Sequence, residues 1–266
     1  MTQYTTSKDG TKIAYSKTGK GEPLVLVDGA FCHRNFGANE KLPQYLASHF
    51  MVYSYDRRGR ADSNEILPYS VEKEYEDLQA VINEVGGNAY VYGISSGAAL
   101  VLEAANYGVK IRKMALYEAP YIIDDSRKPL PDKYFETLSN LIKEKKNGKA
   151  IEYFFKAGIG LPSFVVLLMR LMPSWKNMKQ LAPTLISDNK ILGDTGSGKP
   201  FSKEKWKNAT MSALVISGSK SEKWSQNSMK HLATVLPNAK HYTLIGQTHI
   251  VNPKVLAAVL INFFNL

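Results

Sequence analysis

Gly93-Ile94-Ser95-Ser96-Gly97 fits Gly-x-Ser-x-Gly, a pattern that sets a serine hydroxyl on a sharp turn between a strand and a helix. Three fixed residues match by chance in about one chain in ten of this length, so the surrounding sequence has to carry the reading. Ala89 to Tyr92 reads as a buried strand, and Ser96 to Tyr107 as an Ala-rich helix. A turn this tight strains the serine backbone and needs glycines for the strand and helix to approach. It lifts the Ser95 hydroxyl above the strand ends, beside a helix N-terminus. The chemistry it predicts is attack by Ser95 on a carbonyl carbon, with the Ser96 backbone N–H serving the oxyanion. The plainer alternative is a glycine-rich turn with an N-cap serine, a structural role better suited to Ser96.

Such a nucleophile needs a base within about 3 Å. Of the five histidines, His33 and His49 fall early in the chain, His231 lies within a helical pattern and His241 opens a strand. His249 alone sits in a loop after the last strand, in Gly246-Gln247-Thr248-His249. The base in turn needs an acid to fix its tautomer. Glu118 closes the strand Met114-Ala115-Leu116-Tyr117 and gives the chain order Ser95, Glu118, His249. Glu222 is the alternative acid, and Arg57 or Arg58 is an alternative partner for Glu118. A second oxyanion N–H is expected from the loop after the strand Leu24 to Val27, at Ala30 in preference to Phe31. Cys32, just beyond, reads as a buried structural cysteine.

The elements that must position these groups follow an α/β rhythm. Strand patterns at Leu24 to Val27, Met51 to Tyr55, Ala89 to Tyr92 and Met114 to Tyr117 alternate with helical ones at Leu42 to His49, Val71 to Val85 and Ser96 to Tyr107. This implies a parallel sheet with helices on both faces. From about Asp124 the pattern is helical and broken by prolines. The rhythm resumes with a strand at Ala213 to Ser217, a helix at Gln226 to Leu236, a strand at Tyr242 to Ile245 and a helix at Pro253 to Phe264. The simplest architecture is one core, residues 1–124 and 209–266, with a helical insertion at 125–208 packed over one end of the sheet.

The 266 residues, 44% hydrophobic and 22% charged, fit a folded soluble chain. One cysteine excludes an internal disulfide and fits a cytoplasmic setting. The polar stretch Met1 to Gly10 is not a secretory signal, and the apolar run Phe164 to Met169 is far short of the roughly 20 residues of a membrane span. The net charge is +10, and about nine of those charges fall between Arg127 and Lys207. Without a long basic run or a recognition motif, this reads as a lysine-rich solvated face, and no nucleic-acid partner is expected. No spacing suggests a metal site, and the glycines at 193–198 lack the strand that a phosphate loop requires. Nothing in the sequence sets the oligomeric state.

Taken together, the chain resembles the α/β-hydrolase superfamily over nearly its whole length. The resemblance rests on Gly93 to Gly97, Tyr55-Asp56-Arg57-Arg58-Gly59-Arg60 with Ser63, Leu236-Pro237-Asn238-Ala239 and Gly246 to His249. It is most similar to a subgroup of bacterial hydrolases with Gly-Ile-Ser-Ser-Gly and Gly-Gln-Thr-His segments. The resemblance implies a mostly parallel eight-stranded sheet, a helical cap between the sixth and seventh strands, and chemistry without a cofactor. Two positions depart from the family pattern. Asp28-Gly29 stands where His-Gly is usual, and Ser221 stands in Gly218-Ser219-Lys220-Ser221 where the acid is usual. A glutamate at position 118 resembles the acid placement of some haloalkane dehalogenases. The cap brings Phe154, Phe155, Ile159, Leu161, Phe164, Leu167, Leu168, Met169, Met172 and Trp175; most are expected to pack against one another or against the core, and a few to roof a pocket for a small-molecule substrate. The reaction expected is cleavage of a small or medium apolar ester, with lactone or C–C bond hydrolysis as alternatives and a small-molecule receptor on the same fold as a non-enzymatic one.

Overall fold

The computed structural model describes residues 1–266. Eight strands form its sheet: β1 (Gln3–Thr6), β2 (Lys12–Gly19), β3 (Glu22–Val27), β4 (Phe50–Tyr55), β5 (Ala89–Ile94), β6 (Ile111–Tyr117), β7 (Ser212–Gly218) and β8 (Ala239–Leu244). They lie in the order β1-β2-β4-β3-β5-β6-β7-β8. The pairs β1–β2 and β2–β4 are antiparallel, and every other pair is parallel. The near-continuous apolar runs of β3 and β5 reflect burial on both faces, and all six residues of β5 are buried. β1 and β2 form one margin of the sheet, where exposed Lys12, Lys17 and Thr18 interrupt any apolar run.

Helices cover both faces. α2 (Val71–Glu84), α3 (Ser96–Tyr107) and α9 (Lys223–Val235) contribute Leu78, Leu100 and Leu232 to a cluster of 35 buried residues. On the other face α1 (Leu42–Leu46) and α10 (Pro253–Asn265) contribute Leu46, Leu256 and Phe264 to a cluster of 19. α1 ends sooner than its apolar pattern suggests, three residues before His49. The chain leaves β3 toward β4 on one side and enters β5 on the other, so the sheet order reverses between β3 and β5. A crevice opens at such a reversal, outside the carboxyl ends of the strands. The loops after β3 and β5 flank it.

No strand lies between β6 and β7. That stretch holds α4 (Tyr134–Lys143), α5 (Asn147–Tyr153), a π-helical turn (Phe154–Ile159), α6 (Ser163–Met169), α7 (Trp175–Leu181), a 3-10 turn (Ala182–Thr184) and α8 (Leu185–Leu192). These elements share a third apolar cluster of 10 buried residues, including Leu138, Ile151 and Met178, which also takes in Phe31 from the loop after β3. α8 packs on α3. The helical stretch is thereby seated on the loop and helix that border the crevice. No helix of the chain is long and apolar enough to cross a membrane.

Candidate active site

Ser95 stands at the end of β5 with φ 57° and ψ −129°, a backbone conformation that non-glycine residues rarely adopt. Its N–H donates to Tyr117 O at 2.9 Å, and its carbonyl accepts from Ala98 and Ala99 in the first turn of α3. The strain is therefore held by ladder bonds on one side and helix bonds on the other. The glycines make room for it. A Cβ on Gly97 would lie 2.4 Å from Val27 O, and one on Gly29 would lie 2.8 Å from Ser95 Cβ. Ser95 is only partly buried. Ser96 does not act as an N-cap: Ser95 holds that position, and the Ser96 hydroxyl donates to Asp188 Oδ1 at 2.7 Å.

Glu118 follows β6 at φ 46° and is 1% exposed. Its Oε2 lies 2.9 Å from His249 Nδ1. Its Oε1 accepts from the Gly218 N–H at 2.7 Å and from the Ser221 hydroxyl. A carboxylate with three donors is satisfied in its ionised form, and the Nδ1–H tautomer of His249 leaves Nε2 with a free lone pair. The Tyr117 hydroxyl donates to Thr248 O at 2.6 Å, and Lys220 N–H to Gln247 O at 2.9 Å, so the His249 loop is tied to β6 and to the loop after β7. His249 keeps 52% of its side chain exposed. Ser95 Oγ and His249 Nε2 make no hydrogen bond to each other in this structure. Glu222 is exposed at the N-cap of α9 and reaches neither histidine nor serine. Arg57 and Arg58 do not pair with Glu118. The other histidines lie elsewhere: His231 accepts from the Phe201 N–H, and His241 faces Ser217 at 3.0 Å.

The loop after β3 is braced from below. Ala30 N–H has no acceptor in the chain, and Ser96 N–H opens the first turn of α3, where no intrahelical acceptor exists. Arg57 donates to Asp28 O at 3.3 Å, and Arg60 to Gly29 O and to Cys32 O, the latter at 3.1 Å. Both guanidiniums converge on Asp188 of α8, Arg57 at 2.7 Å and Arg60 at 2.8 and 3.0 Å. Arg57 also grips Glu74 through two bonds of 2.7 and 2.9 Å. Burial pushes the Asp188 carboxyl up, but Arg60 and Arg57 outweigh it and hold the group below its ordinary value. Asp28 fares differently. Burial pushes it up to about 7, Arg60 offsets only part of that, and its Oδ1 has no partner. Cys32 as a residue is only partly buried, contrary to expectation, although its thiol is packed against Gly37 and burial pushes it up to about 12.

Asp188 was invisible to sequence reasoning. Its only signal is a carboxylate in a helix whose neighbours Leu185 and Ile191 are buried. The pocket beside Ser95 is a cavity of about 30 Å3 walled by Ala30, Ser96, Pro120, Phe154, Ile159 and Asp188, among others. Phe154 and Phe155 of the π-helical turn press on Phe31, with ring centroids 5.4 and 5.6 Å apart. An outer cavity of about 400 Å3 shares the walls Leu130, Tyr134, Asn189 and Leu192 with it.

Comparison with known proteins bears on the fold and the family. An α/β hydrolase from Sphaerobacter thermophilus DSM 20745 has a solved structure with TM-score 0.92 and 42% identity, covering 98% of this chain and 100% of that one. The enol-lactonase from Burkholderia xenovorans LB400 shares the fold with TM-score 0.70 at 18% identity, over 99% of this chain and 100% of that one. The uncharacterized hydrolase YraK of Bacillus subtilis (strain 168) is 34% identical over 101 residues, a match spanning 35% of each chain. The sequence model of the alpha/beta hydrolase family matches residues 24–259, and the chain is a member of that family.

Proposed function

We propose that this protein is a serine hydrolase acting on an ester with a small, largely apolar acyl group. The observation that carries the reading is the Glu118–His249 hydrogen bond at 2.9 Å, which leaves Nε2 of an accessible imidazole basic at the same end of the sheet as the Ser95 turn. In this reading Ser95 Oγ attacks the ester carbonyl carbon as His249 Nε2 takes its proton. Glu118 keeps Nδ1 protonated and stabilises the imidazolium. The Ala30 and Ser96 N–H groups bind the oxyanion, each supporting the rate by about 10²–10³. The C–O bond to the alcohol breaks as His249 returns the proton to it, leaving an acyl group on Ser95. Water, deprotonated by His249, then attacks the acyl carbon; the bond to Ser95 Oγ breaks as His249 returns the proton to that oxygen, and the acid is released. In this reading the Ser95–His249 hydrogen bond forms as substrate binds.

Residues 125–208 act as a cap. The aromatic pair Phe154 and Phe155 over Phe31 and the narrow cavity beside Ser95 support a roof that selects the acyl group, with the 400 Å3 outer cavity as the approach. Fluorophosphonate labelling of Ser95, followed by a panel of p-nitrophenyl esters, lactones and C–C substrates, tests the reading. Labelling with fastest turnover on short apolar esters supports it. Labelling with turnover only on lactones or C–C substrates keeps the nucleophile and replaces the substrate class. No labelling and no turnover leaves a receptor on a hydrolase fold.

A further inference from the structure

The outer side of the helical stretch carries an apolar ridge that nothing in the chain covers. Phe164, Leu167, Leu168, Leu171 and Met172 are exposed at 67, 59, 59, 82 and 50%. They come from α6 and the turn that follows it. α6 turns only Val166 fully inward and packs mainly on the π-helical turn Phe154–Ile159. Solvated surfaces seldom gather large apolar side chains this way unless the patch meets another phase or partner.

What lies beside the ridge indicates which. Arg170, between Met169 and Leu171, lines a groove together with Lys145, Lys146, Lys149, Lys176 and Lys179, and the one acidic residue in its walls is Glu152. Arg170 reaches Glu152 at 3.6 Å and Lys146 reaches Glu144 at 2.6 Å. Lys145, Lys149, Lys176 and Lys179 are exposed and have no ion-pair partner. Arg170 therefore connects the apolar ridge to a lysine-rich groove.

We infer that this face docks the protein on an anionic lipid surface, with the ridge entering the acyl boundary and the lysine groove meeting the headgroups. Apolar insertion combined with a cationic flank is the combination that interfacial binding needs. A second copy fits less well. A two-fold contact through the ridge would bury the apolar side chains but leave the lysine groove of a chain with net charge +10 without anionic partners. A nucleic-acid backbone would neutralise the lysines but leave five apolar side chains in water. α6 directly follows the turn that roofs the candidate pocket, so docking would set that roof at the lipid boundary. The inference stands on the surface alone and does not depend on the catalytic reading.

The test is co-sedimentation of the full chain with vesicles of phosphatidylcholine alone and of equimolar phosphatidylcholine and phosphatidylglycerol. Binding to the mixed vesicles, weakened by raised salt, is the expected result. Lys176→Glu with Lys179→Glu should weaken it at least about 20-fold, at about fivefold for each lysine lost. Leu167→Ser, Leu168→Ser and Leu171→Ser combined should abolish it and lower the melting temperature by less than about 5 °C, since these side chains are 59, 59 and 82% exposed. Ser95→Ala should bind as the parent does. Equal binding to both vesicle types, no binding to either, or a triple variant that binds like the parent would overturn the inference. So would a solution dimer that the triple serine variant dissociates, or binding of duplex DNA that both sets of variants remove.

Discussion

Glu118 and His249 are 131 residues apart in the chain and 2.9 Å apart in space. The contact depends on two strand ends and a tethered loop. β6 delivers Glu118 in a left-handed conformation, and Tyr117, the residue before it, pins Thr248, the residue before His249. Ser221, which occupies the position where this family usually carries its acid, donates to the far oxygen of Glu118. Glu118 stands one strand earlier than that position, and the hydroxyl found there donates to it. Glu118→Gln should reduce kcat by about 10²–10⁴, because the amide can favour the wrong imidazole tautomer and cannot stabilise the imidazolium. Glu222→Gln should change kcat less than about twofold, since a solvated N-cap side chain touches no reacting group. Steady-state rates on one p-nitrophenyl ester decide between them. A collapse in the second variant alone moves the acid to the loop after β7.

Ser95→Ala should abolish turnover and leave the fold intact. Alanine must still adopt φ 57°, so a loss of about 1–3 kcal/mol is not expected beyond the strain already present in the parent. Circular dichroism should be unchanged. Intact-protein mass and peptide mapping of the fluorophosphonate-treated parent should place the adduct on Ser95 and not on Ser96, whose hydroxyl is engaged by Asp188. Near-normal activity in the purified variant would remove the serine hydrolase reading.

Phe154→Ala should alter substrate choice more than chemistry. The ring walls the 30 Å3 cavity and meets Phe31 edge-on. Its removal opens space on the acyl side, so kcat/KM should rise for longer acyl chains and fall for acetate. A change of about tenfold in the ratio fits the worth of a methylene or two in a pocket. A uniform fall across the ester series would show that the ring serves stability alone.

The parts of the site that could be read from sequence are those made by neighbours in the chain. Gly93 to Gly97 declares a strand, a turn and a helix within about twenty residues, and Glu118 and His249 each close or follow a strand whose apolar run is plain. β1 and β2 leave little signal in the sequence, because β1 has a single buried residue, Thr5, and the buried apolar run of β2 is only Ile13 to Tyr15. The brace under the loop after β3 is hidden in the sequence for a different reason. Arg57 and Arg60 meet Asp188 across 131 and 128 residues, and an ion pair leaves no periodicity on either partner. Tyr-Asp-Arg-Arg-Gly-Arg marked a family without saying what its arginines hold. The exposed face of α6 was likewise hidden, since an apolar heptapeptide reads as core until its surroundings are known.

Asp28 should give the protein a measurable pH dependence of stability. Burial raises its folded value to about 7 from 3.8, so between those values the folded state keeps a proton that the unfolded state has lost. Stability from this group is present in full below about 4 and is lost as pH rises toward 7, by about 4 kcal/mol at most. Other buried carboxyls titrate in the same window, among them Asp77 at about 6, so the comparison must be between parent and Asp28→Asn. Urea unfolding at pH 5 and pH 8 should show the parent losing more stability than the variant across that interval. Parallel curves would mean that Asp28 stays ionised and finds a partner in solution.

Asp188 and Ser96 allow the brace to be tested apart from the nucleophile. Asp188 sits on α8, outside the sheet core, yet its carboxylate is shared by two guanidiniums and the hydroxyl of the residue whose N–H is assigned to the oxyanion. Its folded carboxyl is held below its usual value, so its contribution is present above about 4 and fades as pH falls through the lower folded value. Asp188→Asn leaves Arg60 without a carboxylate partner and Arg57 with Glu74 alone, and should cost about 3–5 kcal/mol above pH 5. That loss by itself would fit a purely structural role. Ser96→Ala removes one hydrogen bond to a carboxylate that keeps both arginines, and should cost only about 1–2 kcal/mol. If the brace positions the oxyanion, Ser96→Ala should slow fluorophosphonate labelling of Ser95 by about tenfold and lower kcat with KM unchanged, since the lost restraint acts on the tetrahedral state. Thermal unfolding and labelling kinetics on the same preparations separate the two effects. A Ser96→Ala protein that is labelled at the parent rate would confine Asp188 to holding the helical stretch on the core.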